Sequence, residues 1–184
     1  MADSEQVDLS NVVTSVDTAQ SYWQMGIVWT PLVSTEQTKG RYSLMEQLMP
    51  KSAGPPPHLH DHGDELFYLL DGEMEFQFGE QTITVTKGQL VRLPTGVPHG
   101  FVVKSETARV LNFYVPAGLD LQVSMLGTPA TGPTLPPEGA ERPPSEKQKR
   151  AFANRLHELA TQRMAPVPDL LAELRDTHGE DHMP

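Results

Sequence analysis

The chain has 184 residues, 24 acidic and 14 basic side chains, a formal net charge of -10 and no cysteine. This length suits one domain with appendages, the acidic balance argues against a nucleic-acid partner, and the missing cysteines exclude disulfides and thiolate ligands. The N-terminal residues lack the basic and apolar parts of a signal peptide, and no apolar run approaches membrane-spanning length. We therefore expect a cytoplasmic protein without a membrane partner.

The first fifty residues predict a polar arm and two strands. Residues 1–20 are polar and are expected to form an N-terminal arm. The run Trp23–Val33 is apolar and rich in β-branched residues, which predicts a single strand ending near Pro31. In the next run, Arg41–Met49, two sets of side chains alternate, as in a strand with both faces largely covered. Pro50 ends this run.

The centre of the chain consists of short strands separated by turn residues. We predict strands over 66–70, 73–78, 82–85, 89–93, 101–103 and 109–115, with a hairpin at Asp71–Gly72 and another turn at Gly79–Glu80. Many short strands with evenly spaced turns favour an antiparallel barrel, in which alternate residues face the interior. This alternation assigns to the interior Phe67, Leu69, Met74, Phe76, Phe78, Ile83, Val85, Phe101 and Val103.

The C-terminal third changes in composition. Residues 127–144 are rich in proline, which predicts a linker or an arm that wraps the domain. Ser145 and Gln148 have the spacing of a capping box, so we expect a helix from Ser145 to Met164, and a further short helix over 169–175. An apolar stripe should dock this helix on the barrel, the alternative being a protein-interaction helix; it comprises Phe152, Leu156, Leu159 and Ala160.

The most informative pattern is His58-x-His60, followed by Glu65 and, 34 residues later, by His99. Residues two apart on a strand face the same side, and a bend at Gly63 can bring Glu65 to that side as well. Three imidazoles and one carboxylate suit a divalent transition metal with open positions for chemistry. The spacing does not distinguish nickel, iron, manganese, cobalt, copper and zinc.

Two strings around these residues resemble the paired motifs of the cupin superfamily. The first motif reads Gly, spacer, His-x-His, three or four residues, Glu, six residues, Gly, and the chain matches it through Gly72. The second reads Gly, five residues, Pro-x-Gly-x-x-His, three residues, Asn, and the chain matches it from Gly88 to His99. Two positions depart from the motifs: Gly54 lies closer to His58 than is usual, and Val103 replaces the final Asn.

The resemblance implies an all-β fold: a single cupin barrel, also called a double-stranded β-helix or jelly roll, with a C-terminal helical extension. The predicted organisation is an N-terminal arm over 1–20, the barrel over 21–126, a Pro-rich linker over 127–144 and the helical extension over 145–184. Many cupins pair through their sheets, so a homodimer is expected.

The layout beyond the motifs resembles the single-domain bacterial quercetin dioxygenase-like cupins. This resemblance implies that one divalent metal ion per chain is held by His58, His60, Glu65 and His99. It also implies that Glu65 acts as a base toward a substrate hydroxyl, and that dioxygen and a small aromatic or enolic compound are the reactants. From strand alternation, the residues expected to line the substrate pocket are Phe67, Phe76 and Phe101.

The leading hypothesis is a metal-dependent dioxygenase acting on a flavonol-like or other enolic or phenolic molecule. One alternative is a non-oxidative isomerase, lyase or polyketide cyclase, in which the metal polarises a carbonyl. Another is a cupin that binds a small molecule without turnover.

Among other polar residues, His62 is either a substitute ligand or a loop residue, and Glu46 either supports a ligand histidine or is exposed. His178 and His182 in the tail receive no role.

Overall fold

The fold is known from a computed structural model that describes residues 12–60 and 63–162. Within these residues the elements are β1 (Tyr22–Gln24), β2 (Ile27–Val33), β3 (Ser43–Pro50), β4 (Asp64–Asp71), β5 (Glu73–Phe78), β6 (Gln81–Thr86), β7 (Leu90–Leu93), β8 (His99–Val103), β9 (Thr107–Val115), α1 (Leu119–Leu126), β10 (Thr128–Pro129) and α2 (Glu146–Gln162). The predicted start of the long helix at Ser145 and the predicted strands between residues 66 and 115 lie close to these bounds. The further helix expected over 169–175 and the end of the longer one at Met164 fall outside the described residues.

The strands form two antiparallel sheets. A seven-stranded sheet has the order β10-β1-β2-β3-β9-β4-β7, and a three-stranded sheet has the order β6-β5-β8. Side chains from both sheets meet in one hydrophobic core, with Met45 and Phe67 from the larger sheet and Met74 and Phe76 from the smaller. This confirms the predicted all-β jelly-roll barrel with a C-terminal helix.

Strand β3 shows how the alternating pattern positions the core. Its residues Ser43, Met45, Gln47 and Met49 are buried, whereas the intervening side chains are only partly covered. Full burial of a methionine side chain contributes about 1.5–3 kcal/mol to folding. The alternation that predicted this strand therefore also fixes which face turns to the barrel interior.

The first apolar run is a hairpin and not the single strand predicted. Strands β1 and β2 pair with Gln24 opposite Ile27, so Met25 and Gly26 form a two-residue turn. Both turn residues have positive φ, 59° for Met25 and 73° for Gly26. Such turns match the twist of antiparallel strands. Gly26 alone signals this turn in the sequence, because methionine carries no turn signal and the apolar pattern continues on both sides.

The hairpin predicted at Asp71–Gly72 is also wrong. Strand β4 pairs with β7 and β9, whereas β5 pairs with β6 and β8, so the chain crosses between the two sheets at Gly72. A turn dipeptide indicates a change of direction but does not identify the next pairing partner. Ile83, predicted to face the interior, is 53% exposed because it lies on the edge strand β6.

The Pro-rich segment wraps the edge of the larger sheet. Its first residues form β10, which pairs with β1. Further along, the Trp23 indole Nε1 donates a hydrogen bond of 2.8 Å to the Thr134 carbonyl. The Glu141 carboxylate accepts hydrogen bonds from the backbone N–H groups of Met25, at 3.0 Å, and Gly26, at 2.6 Å. The segment thus fastens the first hairpin.

Two helices cover one side of the barrel. The sequence did not predict α1; its buried Asp120 carboxylate accepts hydrogen bonds from the Thr35 backbone N–H, at 2.7 Å, and hydroxyl, at 2.5 Å. Helix α2 begins with the predicted capping box, in which Ser145 N donates to Gln148 Oε1 and Gln148 N donates to Ser145 Oγ. No helix in the described part of the chain is long and apolar enough to cross a membrane.

Only part of the predicted apolar stripe on α2 is docked, and it packs against α1. Leu159 is buried, with 3% of its surface exposed, and Phe152 is half-buried. Leu156, in contrast, is 41% exposed, and Ala160 is exposed as well. The docked surface is therefore narrower than the sequence stripe.

We expect Leu159→Ala to lower the free energy of unfolding by about 2–4 kcal/mol, because it leaves a cavity under α2. The matched variant Leu156→Ala removes the same atoms from an exposed position and should change it by less than about 0.5 kcal/mol. Urea unfolding of the two variants measures both values. Equal effects would contradict the docking of α2.

Candidate metal centre and cavity

The backbone brings the two histidine segments side by side. His58 N donates to His99 O and His99 N donates to His58 O, each at 2.8 Å. His58 and His60 lie on an extended segment with this single bridge and not on the regular strand that was predicted. Gly96 N, in the turn that precedes His99, donates to His60 O at 2.9 Å. These contacts fix the relative positions of the three histidines.

The three imidazoles converge as the spacing predicted. Ring nitrogens of His58, His60 and His99 lie within 4.8 Å of one another. The buried Glu65 carboxylate joins them, because its Oε2 lies 3.2 Å from His60 Nε2 and 4.0 Å from His99 Nε2. All four proposed ligands therefore occupy one end of the barrel interior.

A tight bend at Gly63 turns Glu65 toward the histidines. Gly63 has a φ of 98°, and a Cβ at this position would lie 2.5 Å from the carbonyl oxygen of Val115. The Thr95 hydroxyl holds the bend by donating to Gly63 O at 2.6 Å. Strand β4 then starts one residue later, which places Glu65 on its inner face. The flanking residues 61 and 62, including His62, lie outside the described residues.

Backbone carbonyls orient two of the imidazoles. His58 Nδ1 lies 3.0 Å from the Pro56 carbonyl oxygen, and His99 Nδ1 lies 2.7 Å from that of Val97. When Nδ1 donates its proton to a carbonyl, the lone pair of a neutral imidazole is on Nε2. Burial lowers the pKa of His99 and favours this neutral form.

The residues present fit a divalent metal ion. His99 is 2% exposed, and its buried Nε2 has no hydrogen-bond partner among the described residues. A buried polar atom without a partner is unfavourable, and a bound cation satisfies it. Two ligands at about 2.1 Å from one ion lie at most about 4.2 Å apart, so the observed separations require only a small inward shift.

Strand β9 contributes two polar residues that the sequence did not identify. The fully buried Asn112 donates from Nδ2 to Glu65 Oε1 at 2.7 Å. Tyr114 Oη lies 2.9 Å from His60 Nε2, and burial, together with the negative charge of Glu65, raises the pKa of Tyr114. Both residues face inward with Val110, so strand alternation applied to β9 would have found them.

A cavity of about 200 Å³, partly open to solvent, lies beside these side chains. Its polar end is formed by His58, His60, Glu65 and Tyr114. The remaining wall is largely apolar; it comprises Phe67 and Phe101 from the barrel, Met25, Ile27 and Trp29 from the first hairpin, Pro55, and Leu119 and Gln122 from α1. A mostly apolar cavity with a few convergent polar groups is the usual form of a small-molecule site.

Phe76 does not line this cavity, in contrast to the prediction. It is fully buried and lies behind the two other aromatic residues, with ring centroids 5.5 Å from Phe67 and 5.5 Å from Phe101. Strand alternation predicts that a side chain faces the interior, but not how deep in the interior it lies. Phe67 and Phe101 form the aromatic wall, with centroids 5.2 Å apart.

Sequence comparison gives the family of this barrel. Residues 44–114 match the sequence profile of the cupin domain. This part of the chain is therefore a cupin domain. A quercetin 2,3-dioxygenase from Bacillus subtilis is 24% identical over 98 residues, which cover 53% of this chain and 29% of that protein. The chain therefore spans less than a third of this curated relative.

Solved structures superimpose on part of this chain at low sequence identity. A predicted oxalate decarboxylase from Thermotoga maritima superimposes with a TM-score of 0.50 and 17% identity, covering 56% of this chain and 98% of that one. KdgF from a Halomonas species gives a TM-score of 0.49 and 19% identity, over 55% of this chain and 91% of that one.

Two further positions singled out in the sequence do not contact the proposed ligands. Val103, which replaces the motif Asn, is buried in the core, while the amide that contacts Glu65 comes from Asn112. Glu46 does not support a ligand histidine; it accepts hydrogen bonds from Arg109 at 2.5 and 3.0 Å. Its partner shows that Glu46 belongs to the face of β3 that points away from the barrel interior. His178 and His182 lie outside the described residues.

We expect one divalent ion per chain, and near-complete loss of it in the double variant His60→Ala/His99→Ala, since two nitrogen donors are removed. His157→Ala, on the exposed face of α2, is the matched control and should retain full metal content. Elemental analysis after metal loading and dialysis measures the stoichiometry. Near-stoichiometric metal in the double variant would reject the proposed ligands.

Asn112→Ala should weaken metal binding by about 10–100-fold, because the Glu65 carboxylate loses the amide that orients it. Asn154→Ala on α2 makes the same truncation at an exposed position and should leave the affinity unchanged. Competition with a chelator gives the dissociation constants, and circular dichroism checks the fold. Wild-type affinity in folded Asn112→Ala would show that Glu65 needs no such support.

Proposed function

We propose that the protein is a metal-dependent dioxygenase that acts on a flavonol-like or other enolic or phenolic small molecule. The observation that carries the proposal is the convergence of three imidazoles and Glu65 at the polar end of a mostly apolar cavity. The likeness to quercetin 2,3-dioxygenase supports it further. A dioxygenase transfers both oxygen atoms of dioxygen to its substrate, so the reaction requires no separate reductant.

His58, His60, Glu65 and His99 would hold one divalent transition-metal ion, which when bound supplies a Lewis acid and a redox centre. The cavity walls bind the rest of the substrate. Phe67 and Phe101 present an aromatic surface against which a flat ring packs favourably, and together with Trp29 they reduce the access of water. Exclusion of water strengthens every electrostatic interaction in the site.

Glu65 is the residue that we assign to proton transfer. Asn112 holds its Oε1, while Oε2 faces His60 and the cavity. A substrate hydroxyl placed beside Oε2 would transfer its proton to this oxygen, which leaves the substrate oxygen anionic and the ring electron-rich. The anion is the form of an enol or phenol that reacts readily with an oxidant.

Oxygen consumption tests the proposed reaction. Metal-loaded protein is assayed with flavonols and catechols in an oxygen electrode, with the His60→Ala/His99→Ala variant as a control. Substrate-dependent uptake in the wild type alone is the expected result. Turnover without oxygen uptake would favour the non-oxidative alternatives, and saturable binding without turnover would favour a binding protein.

Replacement of Glu65 by Gln keeps the shape of the side chain and removes the base. We expect Glu65→Gln to retain part of its metal and to lose about 10²-fold or more in kcat. The loss should be smaller with substrates that are already ionised at the assay pH. Glu80→Gln, in the exposed turn after β5, is the control. Wild-type kcat across pH in metal-bound Glu65→Gln would reject the base role.

We predict that the protein forms a homodimer that pairs through its sheets. We also predict a cytoplasmic location. Light scattering coupled to size-exclusion chromatography determines the mass in solution. The outcome does not bear on the metal centre, since all four proposed ligands come from one chain.

A further inference from the structure

The metal centre and the cavity wall come from different parts of the chain. All proposed ligands lie within residues 44–114, which match the cupin domain. Much of the wall lies outside this range: Ile27 and Trp29 belong to the first hairpin, and Leu119 and Gln122 belong to α1. The size of the cavity therefore depends on how these two flanking elements are held.

The first hairpin is fastened at both its tip and its strands. Glu141 accepts hydrogen bonds from both turn residues, as described above, and Trp23 donates to the Thr134 carbonyl. In addition, the Trp29 indole Nε1 donates to the Gln24 carbonyl at 3.0 Å, which fixes its ring in the cavity wall. Outward movement of this wall requires several of these hydrogen bonds to break.

Helix α1 is fastened in the same way. The two hydrogen bonds from Thr35 to the buried Asp120 carboxylate attach its first turn to the loop after β2. Leu121 and Val123, which belong to α1 itself, are buried. Because hydrogen bonds to a buried carboxylate are stronger than those between neutral groups, α1 resists displacement by a ligand.

The space between these walls is small for a drug-sized molecule. Sites for such ligands usually measure about 300–1,000 Å³, whereas an apolar cavity of about 150 Å³ accommodates benzene. The cavity of about 200 Å³ is smaller than the usual sites and only slightly larger than the cavity that accommodates benzene. One ring with a few substituents fits this space, and a three-ring flavonol exceeds it.

We propose that the substrate is compact, a single-ring phenol or an enol of similar size, and that the first hairpin and α1 set this limit. The inference rests on the proposed function and narrows its substrate class. The ring lies against Phe67 and Phe101, while its adjacent oxygen atoms face the proposed ligands. A second and third ring would require the space that Ile27, Trp29 and Leu119 occupy.

Binding without turnover tests the size limit. Protein loaded with zinc is titrated anaerobically with catechol and, separately, with 3-hydroxyflavone, and calorimetry gives the two dissociation constants. Both probes present adjacent oxygen atoms, but they have one and three rings. We expect catechol to bind at least about tenfold more tightly, a difference of about 1.4 kcal/mol.

A pair of leucine variants identifies the wall. Leu119→Ala enlarges the cavity and should reduce the difference between the two probes several-fold. Leu156→Ala makes the same truncation on the exposed surface of α2 and should preserve the wild-type difference. Zinc content, measured before each titration, shows that the metal centre is intact.

Each outcome decides a different point. Equal or tighter binding of 3-hydroxyflavone by the wild type overturns the size limit and leaves the proposed dioxygenase intact. An unchanged difference in folded, zinc-loaded Leu119→Ala overturns the role of α1. Failure of the zinc-loaded wild type to bind either probe rejects the compact phenolic substrate together with the proposed function.

Discussion

The reciprocal pair of backbone hydrogen bonds between His58 and His99 is the contact on which the site depends. It joins segments 41 residues apart and requires no metal, because both partners are main-chain groups. A further backbone hydrogen bond, from Gly96 N to His60 O, then fixes the position of His60 relative to the turn before His99. Main-chain hydrogen bonds thus bring the proposed donors together, which is the kind of support that a precise binding site requires.

Preorganisation has a thermodynamic counterpart. The site brings together a buried carboxylate, a buried imidazole nitrogen without a partner, and a phenol, in a largely apolar interior. Such groups are unfavourable until a cation satisfies them. Binding of the proposed ion to the folded protein alone would add to its stability by mass action, and the melting temperature would then depend on the metal concentration.

The sequence was sufficient to predict that the four proposed ligands converge, and insufficient to predict the residues around them, for a physical reason. The spacing from His58 to Glu65 is a local property, because strand parity and one glycine bend determine it. Asn112 reaches Glu65 only because β4 and β9 pair in one register, with Glu65 opposite Tyr114 and Phe67 opposite Asn112. Strand alternation can place Asn112 on the inner face of β9, but the pairing that sets it beside Glu65 depends on the whole core and not on a local pattern. The same reason explains the sheet crossing at Gly72.

The Glu141 carboxylate separates the shape of the cavity from its polar end. It lies 116 residues from Met25 in sequence and contacts no proposed metal ligand, yet it accepts hydrogen bonds from the tip of a hairpin that forms part of the cavity wall. A substitution there would release the hairpin tip without altering any of the four proposed ligands. The Pro-rich arm and the histidine segments can therefore change independently, and identical histidines and glutamate do not by themselves fix the shape of the cavity.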